Sequence, residues 1–481
     1  MEIVTLKIGD TDRRGGKIAI RCNPVTGDDA TQYTAATPED AAAAAEAAGA
    51  AYPQWSKTGP GLRRSILNKA AEELEKKQGE IVDAMVRETG ATKGWSAFNV
   101  KLGADILREA AAMTTQLTGE TIPSNRPGTL ALAIRKPVGP MLGIAPWNAP
   151  VILGVRAIAM PLACGNSVVL KGSEMCPRTH RLIVDALLDA GCPDGVINYI
   201  NNAPEDAPDI VKTLVTHPAI RRINFTGSTR IGKIIAGLAA TELKPVLLEL
   251  GGKAPMAVLN DADIGEAVKG AVFGAFFNQG QICMSTERLI VDDAIGDAFV
   301  AAFAKRTKSI TAADPALDDA PLGAVVSERT VEHLRELVRD AKAKGAHIVL
   351  EGAIDGAIMQ PTIIDKVTPE MRLWREESFG PVVAITRARG DDEIVHLAND
   401  TEYGLSAAVY GADMSRLMSV AERIESGICH INGPTVYDEP QMPFGGVKAS
   451  GYGRFGGRFG VEAFTEIRWL TINTQPVQLP I

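Results

Sequence analysis

The stretch "RRINFTGSTRIGKIIAGLAA", residues 221–240, places a short strand-like run directly before a helical pattern, with Gly227 and Ser228 at the junction. A strand that leads through a tight turn into a helix is one half of a βαβ unit. Free amides at such a helix start suit a phosphate, but on this segment alone a capped helix without a ligand is the favoured interpretation. The stretch therefore indicates an α/β fold class, and by itself it does not indicate a function.

The same alternation continues on both sides of this stretch. Between about residues 140 and 250, the strand-like runs "MLGIA", "NSVVLK" and "VINYI" surround the helical pattern "RTHRLIVDALLDAG". A second series between about 250 and 450 includes "APMAVL", "TERLIV", the helical "ERTVEHLRELVRDAKAKG", "VVAITRA" and "SAAVYG". Alternating strands and helices predict parallel sheets covered on both faces. We therefore expect an α/β fold with two doubly wound domains.

Composition and charge exclude several classes of function. The chain has 481 residues, a net charge of −8 and no cluster of Lys and Arg, so no nucleic-acid partner is expected. The N-terminus has no apolar segment typical of a secretory signal, which favours the cytoplasm. The uncharged run 137–155 approaches the length of a membrane span, but its four prolines and three glycines favour loop and strand. No membrane partner is expected.

The stretch "NQGQICMSTER", residues 278–288, contains the most informative of six cysteines. The cysteines form no C-x-x-C pair, so reduced thiols are expected. None of the six histidines lies within thirty residues of Cys283, so we expect no metal site. Cys283 is then either a core thiol or a nucleophile, and its residue type alone does not decide between them.

Two nucleotide-binding motifs match incompletely. "GYGRFG", residues 451–456, has the spacing of a dinucleotide fingerprint but follows the loop-like "MPFGGVKAS", so we interpret it as a glycine-rich turn. "GSTRIGK", residues 227–233, resembles a P-loop, but Ile234 stands where magnesium binding requires Ser or Thr. ATP hydrolysis is therefore disfavoured.

Seven motifs occur in order along the chain: "APWNAP", "LACGNSVVLKGSE", "INFTGSTRIG", "LELGGKAP", "NQGQICMSTER", "EESFGPV" and "PFGGVKASGYGR". On these motifs the chain resembles the NAD(P)-dependent aldehyde dehydrogenases over essentially its full length. The resemblance implies a cofactor domain from 1–115 and 137–249, a catalytic domain from 250–449, and a bridging element from 116–136 and 450–481. The bridging strands resemble those that join family members as homodimers or homotetramers.

The resemblance also implies catalytic roles. Cys283 would add to the aldehyde, while the side-chain amide of Asn148 and the Cys283 N–H hold the oxyanion. Glu249 would activate the water that hydrolyses the thioester, which favours a free acid as product. For Glu249 alone, a salt-bridged carboxylate at a strand end is the alternative. Lys171 completes the catalytic set and would reach the adenosine ribose.

The cofactor implied by the resemblance is NAD, because Glu174 near the ribose 2′-position would repel the phosphate of NADP. Ser228 would contact the pyrophosphate, and Glu377 the nicotinamide ribose beside Phe379. Taken alone, Lys171 is equally typical of a solvated surface residue. The expected cofactor contacts are Ile144, Ala145, Pro146, Trp147, Lys171, Ser173, Glu174, Gly227, Ser228, Leu250, Glu377 and Phe379.

The substrate is expected to be an aromatic aldehyde. "GQICMSTERLIV" and "HINGPTVYDEPQMPFGGVKASGYGRFGG" are similar to bacterial dehydrogenases for vanillin, salicylaldehyde and hydroxybenzaldehyde. Arg156 would meet a phenolic oxygen or, equally, form a structural ion pair. Trp95 would form part of the pocket wall or, equally, pack within a helix core. Aliphatic aldehydes or semialdehydes are the alternative substrates, and a non-catalytic module is the alternative class. The expected pocket residues are Trp95, Trp147, Arg156, Met284, Val436, Tyr437 and Phe444.

Overall fold

The strands belong to several sheets. The structure, a computed structural model, describes residues 2–477, 479 and 481. The strands are β1 Leu6–Ile8, β2 Thr11–Arg13, β3 Lys17–Cys22, β4 Asp29–Ala35, β5 Glu120–Ile122, β6 Thr129–Pro137, β7 Met141–Ile144, β8 Val168–Lys171, β9 Ile197–Ile200, β10 Arg222–Thr226, β11 Val246–Glu249, β12 Ala254–Val258, β13 Thr286–Asp292, β14 His347–Leu350, β15 Ile354–Asp355, β16 Ile358–Met359, β17 Thr362–Asp365, β18 Val382–Ala388, β19 Ser406–Tyr410, β20 Ile428–Ile431, β21 Gly451–Tyr452 and β22 Thr465–Asn473.

Several helices begin after a residue whose side chain accepts from a backbone N–H of the first turn. Thr37 and Asp40 form a capping box at the start of α1. The helices are α1 Pro38–Trp55, α2 Pro60–Lys76, α3 Gln78–Thr89, α4 Lys93–Met113, α5 Pro150–Ala163, α6 Pro177–Asp189, α7 Ala207–Thr216, α8 Thr229–Thr241, α9 Ile264–Phe276, α10 Gly296–Thr307, α11 Glu328–Ala343, α12 Arg372–Arg375, α13 Gly390–Asn399, α14 Met414–Arg423 and α15 Gly457–Ala463.

The first large sheet has the strand order β2-β1-β9-β8-β7-β10-β11-β21. Its five central strands, from β9 to β11, are parallel. Alternate side chains enter different cores: Met141 and Val168 pack with α2, α4, α5 and α6, whereas Leu142 and Val169 pack with α1, α7 and α8. Both faces are therefore covered, which explains the nearly continuous apolar runs in these strands.

The second large sheet has the order β14-β17-β18-β13-β12-β19-β20, and all pairs except β14 with β17 are parallel. One face packs on α9 and α10 and the other on α13 and α14. The prediction of two doubly wound parallel sheets is therefore confirmed. The alternating strand and helix patterns specified it because each strand needs helices on both sides to bury its side chains.

The segments 116–136 and 465–473 meet in a separate three-stranded antiparallel sheet, β22-β6-β5. In the first segment, β5 and β6 form an antiparallel hairpin. The glycine-rich turn expected at 451–456 begins instead with the short strand β21, which pairs with β11 at the edge of the first large sheet. The functional division into domains stays a prediction.

The run 137–155 is divided between β7, a connecting loop and the start of α5. Among the residues that the structure describes, no helix is both long and apolar enough to cross a membrane. The loop after β7 lies at the carboxyl end of a parallel strand, the position at which α/β sheets usually bind ligands.

Candidate active site

Cys283 follows a tight turn that connects α9 to β13. Asn278, Gln279 and Gly280 have φ values of 49°, 57° and 70°, all in the left-handed region. A non-glycine residue held there costs about 1–3 kcal/mol, so the surroundings must hold this turn in place. Gly280 admits no side chain, since a Cβ would lie 2.3 Å from the carbonyl oxygen of Gly380.

The side chains of the turn are anchored to a neighbouring loop. Gln279 donates to the Ala324 oxygen at 3.0 Å and accepts from the Gly323 N–H at 3.0 Å. Gln281 accepts from the Val326 N–H at 2.9 Å. The sequence analysis assigned these glutamines no role. Their signal was the presence of two amides beside an apolar helix, where buried amides need partners.

The structure brings Asn148 to Cys283. The Asn148 side-chain amide donates to the Gln281 oxygen at 2.9 Å, and its backbone oxygen accepts from Trp95 Nε1 and Asn278 Nδ2, both at 3.1 Å. An amide nitrogen carries two hydrogens, so one remains for a ligand. Within residues 2–477, 479 and 481, the Cys283 N–H donates to no protein atom. Two donors are therefore available for an oxygen at this position.

Two cavities meet at Cys283, and both are also lined by Asn148 and Leu153. We name the larger, of about 290 Å³, the aromatic cavity. We name the smaller, of about 200 Å³, the strand-end cavity. The aromatic cavity is lined by Trp95, Phe98, Leu102, Asn148, Ala149, Ile152, Leu153, Arg156, Phe273, Phe277, Ile282, Cys283, Met284, Pro434, Val436, Tyr437, Asp438 and Phe444. The strand-end cavity is lined by Pro146, Trp147, Asn148, Leu153, Thr226, Gly227, Ser228, Glu249, Leu250, Gly251, Cys283, Glu377 and Phe379.

The strand-end cavity gathers seven of the twelve expected cofactor contacts: Pro146, Trp147, Gly227, Ser228, Leu250, Glu377 and Phe379. The other five lie on adjacent strand ends. Ile144 ends β7 and pairs with Lys171 at the end of β8, and the Ala145 N–H donates to the Lys171 oxygen at 3.3 Å. Lys171 lies 3.5 Å from Glu174, so it forms an ion pair and is not a solvated surface residue.

Three features of the strand-end cavity fit a dinucleotide. Ser228 caps the start of α8, where unpaired amides favour a phosphate. A Cβ at Gly227 would lie 2.5 Å from the Phe225 ring, so only glycine fits at this position beside the ring. Glu377 accepts from the Gly252 N–H at 2.9 Å through one oxygen. Burial raises the pKa of Glu377 to about 8.

The loop that carries Glu377 and Phe379 is held by Glu287, which the sequence analysis missed. The Glu287 carboxylate accepts from the Ser378 and Phe379 N–H groups, both at 3.1 Å, and pairs with Lys253 at 2.6 Å. Both members of the ion pair are buried. The signal was an acidic residue inside the apolar strand "TERLIV", because a buried carboxylate requires a positive or hydrogen-bonding partner.

His180 was also missed, and it joins the Ser173 loop to the turn after Asn148. Its Nδ1 accepts from the Ser173 N–H at 3.0 Å, so its Nε2 carries the hydrogen directed at the Pro150 oxygen 3.1 Å away. Burial lowers the pKa of His180 to about 3. The ring is therefore neutral and linked at both nitrogens.

Glu249 ends β11 on the wall of the strand-end cavity and is 2% exposed. Neither carboxylate oxygen has a hydrogen-bond partner among the residues described. A salt-bridged carboxylate, the alternative considered from the sequence, is therefore not what the structure contains. Burial raises the pKa of Glu249 well above its usual value, although Arg156 and Arg454 lower it. Burial therefore makes this carboxyl group a stronger base than a carboxylate exposed to water.

Burial and, to a smaller extent, the Glu249 and Glu377 carboxylates together raise the pKa of the Cys283 thiol to about 12. The thiolate is the nucleophilic form of cysteine. Cys283 therefore needs a change in its surroundings, or a base, before it can attack a substrate.

Six of the seven expected pocket residues line the aromatic cavity: Trp95, Arg156, Met284, Val436, Tyr437 and Phe444. Trp147 is the exception. It lies in the strand-end cavity, where its ring meets Phe379 edge to face with centroids 5.6 Å apart. Its ring therefore lies with the expected cofactor contacts, and its assignment to the substrate pocket stays a prediction.

The structure also gives the contacts of Trp95 and Arg156, for each of which the sequence left two roles open. Trp95 is more than core packing, because it lines the cavity and holds the Asn148 backbone. Arg156 forms an ion pair with Asp438 and lies 4.3 Å from the centre of the Phe444 ring. The structural ion pair considered for Arg156 is therefore present, and it lies on the cavity wall. In the described part of the chain, no group of three His, Cys, Asp or Glu side chains is placed to hold a metal.

Comparison with known proteins agrees with this geometry. Residues 11–470 match the aldehyde dehydrogenase family. The chain is 56% identical to a vanillin dehydrogenase of Pseudomonas fluorescens over 97% of both chains. The crystal structure of a salicylaldehyde dehydrogenase from Pseudomonas putida G7, complexed with salicylaldehyde, superimposes over 100% of both chains with a TM-score of 0.98 and 47% identity.

A more distant solved structure has a bound cofactor. The betaine aldehyde dehydrogenase of Staphylococcus aureus in complex with NAD⁺ is 29% identical, has a TM-score of 0.95 and is matched over 96% of its chain and 99% of this one. The chain belongs to the aldehyde dehydrogenase family and is an aldehyde oxidoreductase. The family uses NAD or NADP.

Proposed function

We propose that this protein oxidises an aromatic aldehyde to the carboxylic acid with NAD, with vanillin and 4-hydroxybenzaldehyde as the leading substrates. The observation that carries the proposal is the aromatic cavity, which opens onto Cys283 and is walled by rings of Trp95, Phe98, Phe277 and Phe444. A slot of this kind suits a flat apolar ring with few polar substituents. Relatives named for vanillin and salicylaldehyde support it.

Cys283 is the proposed nucleophile. Its thiolate adds to the aldehyde carbon, so that a C–S bond forms and the carbonyl oxygen becomes an oxyanion. The remaining Asn148 amide hydrogen and the Cys283 N–H donate to that oxyanion. One such donor is typically worth about 10²–10³ in rate. When bound, NAD supplies the hydride acceptor that converts the adduct into a thioester.

Glu249 is the proposed base for the second half of the reaction. It removes a proton from a water, which attacks the thioester carbon, and the C–S bond then breaks to release the acid and the thiolate. A base is most effective when its pKa lies near the working pH, and burial moves the Glu249 pKa in that direction. The product is therefore a free carboxylic acid.

NAD is proposed over NADP because of Glu174. Its carboxylate lies beside Lys171 at the ends of the strands next to the strand-end cavity. A 2′-phosphate bound there would meet like charge, whereas ribose hydroxyls can donate to the carboxylate. Lys171 would contact the same ribose.

Aliphatic semialdehydes are less favoured than aromatic aldehydes. A semialdehyde needs a free cation for its second carboxylate, and Arg156 is already paired with Asp438. The remaining cavity wall is mostly apolar, so it offers a second carboxylate little compensation for lost hydration.

The test is NADH formation with NAD and a panel of vanillin, 4-hydroxybenzaldehyde, salicylaldehyde, benzaldehyde, hexanal and succinate semialdehyde, with an NADP arm. The proposal is supported if the enzyme turns over phenolic aldehydes fastest and if Cys283→Ala loses this activity. A preference for hexanal or the semialdehyde would remove the aromatic assignment and keep the cysteine chemistry. If NAD binds but no aldehyde is turned over, the proposed catalytic function is contradicted.

We also propose that the chain works as a homodimer or homotetramer through the sheet β22-β6-β5. Trp469 is 76% exposed and Ile467 65% exposed on this sheet, which leaves apolar surface for another copy. Light scattering after gel filtration tests it: a monomer at micromolar concentration contradicts the proposal. Trp469→Glu should weaken the assembly.

A further inference from the structure

The aromatic cavity has few polar side chains with which to recognise ring substituents. Asn148 and Cys283 are assigned to the aldehyde group. The Tyr437 hydroxyl donates to Glu439, and the Tyr437 side chain is 52% exposed. Arg156 and Asp438 remain as the buried polar pair on the wall.

Asp438 is unusually short of hydrogen bonds for a buried carboxylate. Its side chain is 11% exposed, and Arg156 donates to Oδ2. Oδ1 has no hydrogen-bond partner in the described part of the chain. A carboxylate offers about four acceptor positions, and leaving a buried one empty is costly. A ligand that brings a hydroxyl donor to this wall would remove that cost.

Arg156 fixes where this acceptor lies. Its side chain is 7% exposed, it pairs with Asp438, and its guanidinium rests 4.3 Å from the centre of the Phe444 ring. A planar guanidinium held by a carboxylate and by an aromatic face has little freedom to turn. The pair therefore holds a carboxylate at a defined point in the wall of a cavity that is mostly apolar.

We propose that Asp438 is a specificity-determining residue that accepts a hydrogen bond from a ring hydroxyl of the aldehyde. This inference rests on the proposed aromatic-aldehyde activity. A phenol donates its O–H to the carboxylate, whereas a methyl ether at the same ring position has no hydrogen to donate. The enzyme therefore prefers a hydroxylated aldehyde to its methoxy analogue at the ring position that faces Asp438. Arg156 acts as a positioning residue for this carboxylate.

The negative charge of Asp438 also excludes some substrates. A substituent carboxylate at the same position would meet the negative charge of Asp438, and an ionised phenol would meet the same repulsion. Binding of the neutral phenol forms and breaks no covalent bond. Selection is therefore made by hydrogen bonding before the reaction at Cys283 begins.

The experiment measures kcat/KM with NAD for benzaldehyde and for the 2-, 3- and 4-hydroxybenzaldehydes beside the three matching methoxybenzaldehydes. In the wild-type enzyme, at least one hydroxy isomer should exceed its methoxy partner by about tenfold to a hundredfold, the usual range for a hydrogen bond to a charged group. In Asp438→Asn the neutral amide oxygen is a weaker acceptor than the carboxylate, so that ratio should fall by about fivefold to tenfold. The ratio is taken within each variant, so it is independent of the fraction of folded enzyme.

Asp365→Asn is the matched control, because Asp365 also pairs with an arginine in a buried position and lines neither cavity. It should keep the wild-type ratio. If Asp438→Asn fails to fold, the double variant Arg156→Met/Asp438→Asn leaves no buried charge unpaired, and the same fall in ratio is expected.

Two results would overturn the inference: a wild-type enzyme without hydroxyl preference at any ring position, or a preference that stays at the wild-type value in both Asp438 variants. Failure of the proposed function gives a different result. In that case the wild-type enzyme turns over neither benzaldehyde nor its derivatives. It then oxidises only other aldehydes, or no aldehyde at all.

Discussion

The strand-end cavity and the aromatic cavity share Cys283, yet they draw on different parts of the chain. The strand-end cavity is formed by turns that directly follow β7, β10 and β11, so its residues lie in short contiguous motifs. The aromatic cavity combines side chains from α4, α5, α9 and the loop between β20 and β21. Backbone geometry thus dominates the first cavity, and side-chain identity dominates the second.

This difference predicts how each cavity responds to change. Where backbone amides and glycine turns bind a ligand, the fold itself specifies the chemistry, and one cofactor can serve many relatives. Where side chains from distant elements form a wall, single substitutions can alter the ligand while the fold is kept. A variant at Cys283 should affect the reaction that joins the two cavities. A variant in only one cavity should alter either cofactor binding or aldehyde binding.

The largest effect is expected for Cys283→Ala, which removes the group that the two cavities share. Loss of a covalent nucleophile should lower kcat by about 10³-fold or more, because no neighbouring group replaces the thiolate. NADH formation measures the loss, and quenching of tryptophan fluorescence measures retained NAD binding. Cys22→Ser, at an exposed cysteine, is the control and should be fully active. Residual activity near the wild-type level would place the nucleophile elsewhere.

Asn148→Ala should have the second largest effect. The side chain lines both cavities and has one hydrogen left for an oxyanion, so kcat should fall by about 10²–10³-fold. KM for NAD should change much less, since the backbone at Asn148 stays anchored by Trp95 and Asn278. Steady-state kinetics separates the two parameters. An equal effect on NAD affinity would mean that Asn148 mainly supports the fold of the turn.

Glu287→Gln should separate the cavities. The substitution weakens the anchor of the loop that carries Glu377 and leaves Lys253 buried without a charged partner, a loss typically worth about 3–5 kcal/mol of stability. The melting temperature should fall, and KM for NAD should rise about tenfold, with a smaller change in KM for the aldehyde.

Glu266→Gln is the control for Glu287→Gln, because Glu266 forms an exposed pair with Lys269 that is worth about 0–1 kcal/mol. Its melting temperature and kinetics should match those of the wild type. If Glu287→Gln raised KM for the aldehyde and left KM for NAD unchanged, the proposed separation of the two cavities would fail.

The contrast between the cavities also explains what the sequence could predict. Gly227 and Ser228 were visible at a strand-to-helix turn, but their role and that of Glu377 came from the resemblance of their short motifs to the aldehyde dehydrogenase family. The aromatic cavity was predicted only in part. Phe98, Phe273 and Phe277 resemble ordinary core residues, and they form a wall only because α4 packs against Phe277, directly after α9. Trp147 shows the same limit, because its sequence position did not reveal which side of Cys283 its ring occupies.

Buried polar networks were the other part that the sequence did not reveal. Gln279, Gln281 and Glu287 were visible as polar residues in apolar surroundings, but their partners lie 44, 45 and 91 residues away. Pairings over such separations depend on the folded arrangement of the second sheet. Asp438 was overlooked for the same reason, since its partner Arg156 lies 282 residues away.

The smallest effect concerns the ionisation of Cys283 and tests whether Glu249 acts on the thiol. Burial and then the Glu249 carboxylate raise the pKa of Cys283. Glu249→Gln removes that negative charge, so the thiol pKa should fall and more thiolate should be present at any given pH below it. The pH profile of iodoacetamide alkylation, measured without cofactor, should therefore shift to lower pH.

A shift of the alkylation profile to higher pH would give the Glu249 carboxylate a different role. If Glu249→Gln slowed alkylation at every pH, or moved its profile to higher pH, Glu249 would be the base that takes the Cys283 proton. Asp438→Asn supplies a comparison from the aromatic cavity, because Asp438 also raises the Cys283 pKa but by less than Glu249. A shift of the same sign and smaller size in that variant would show that both cavities control the thiol through charge.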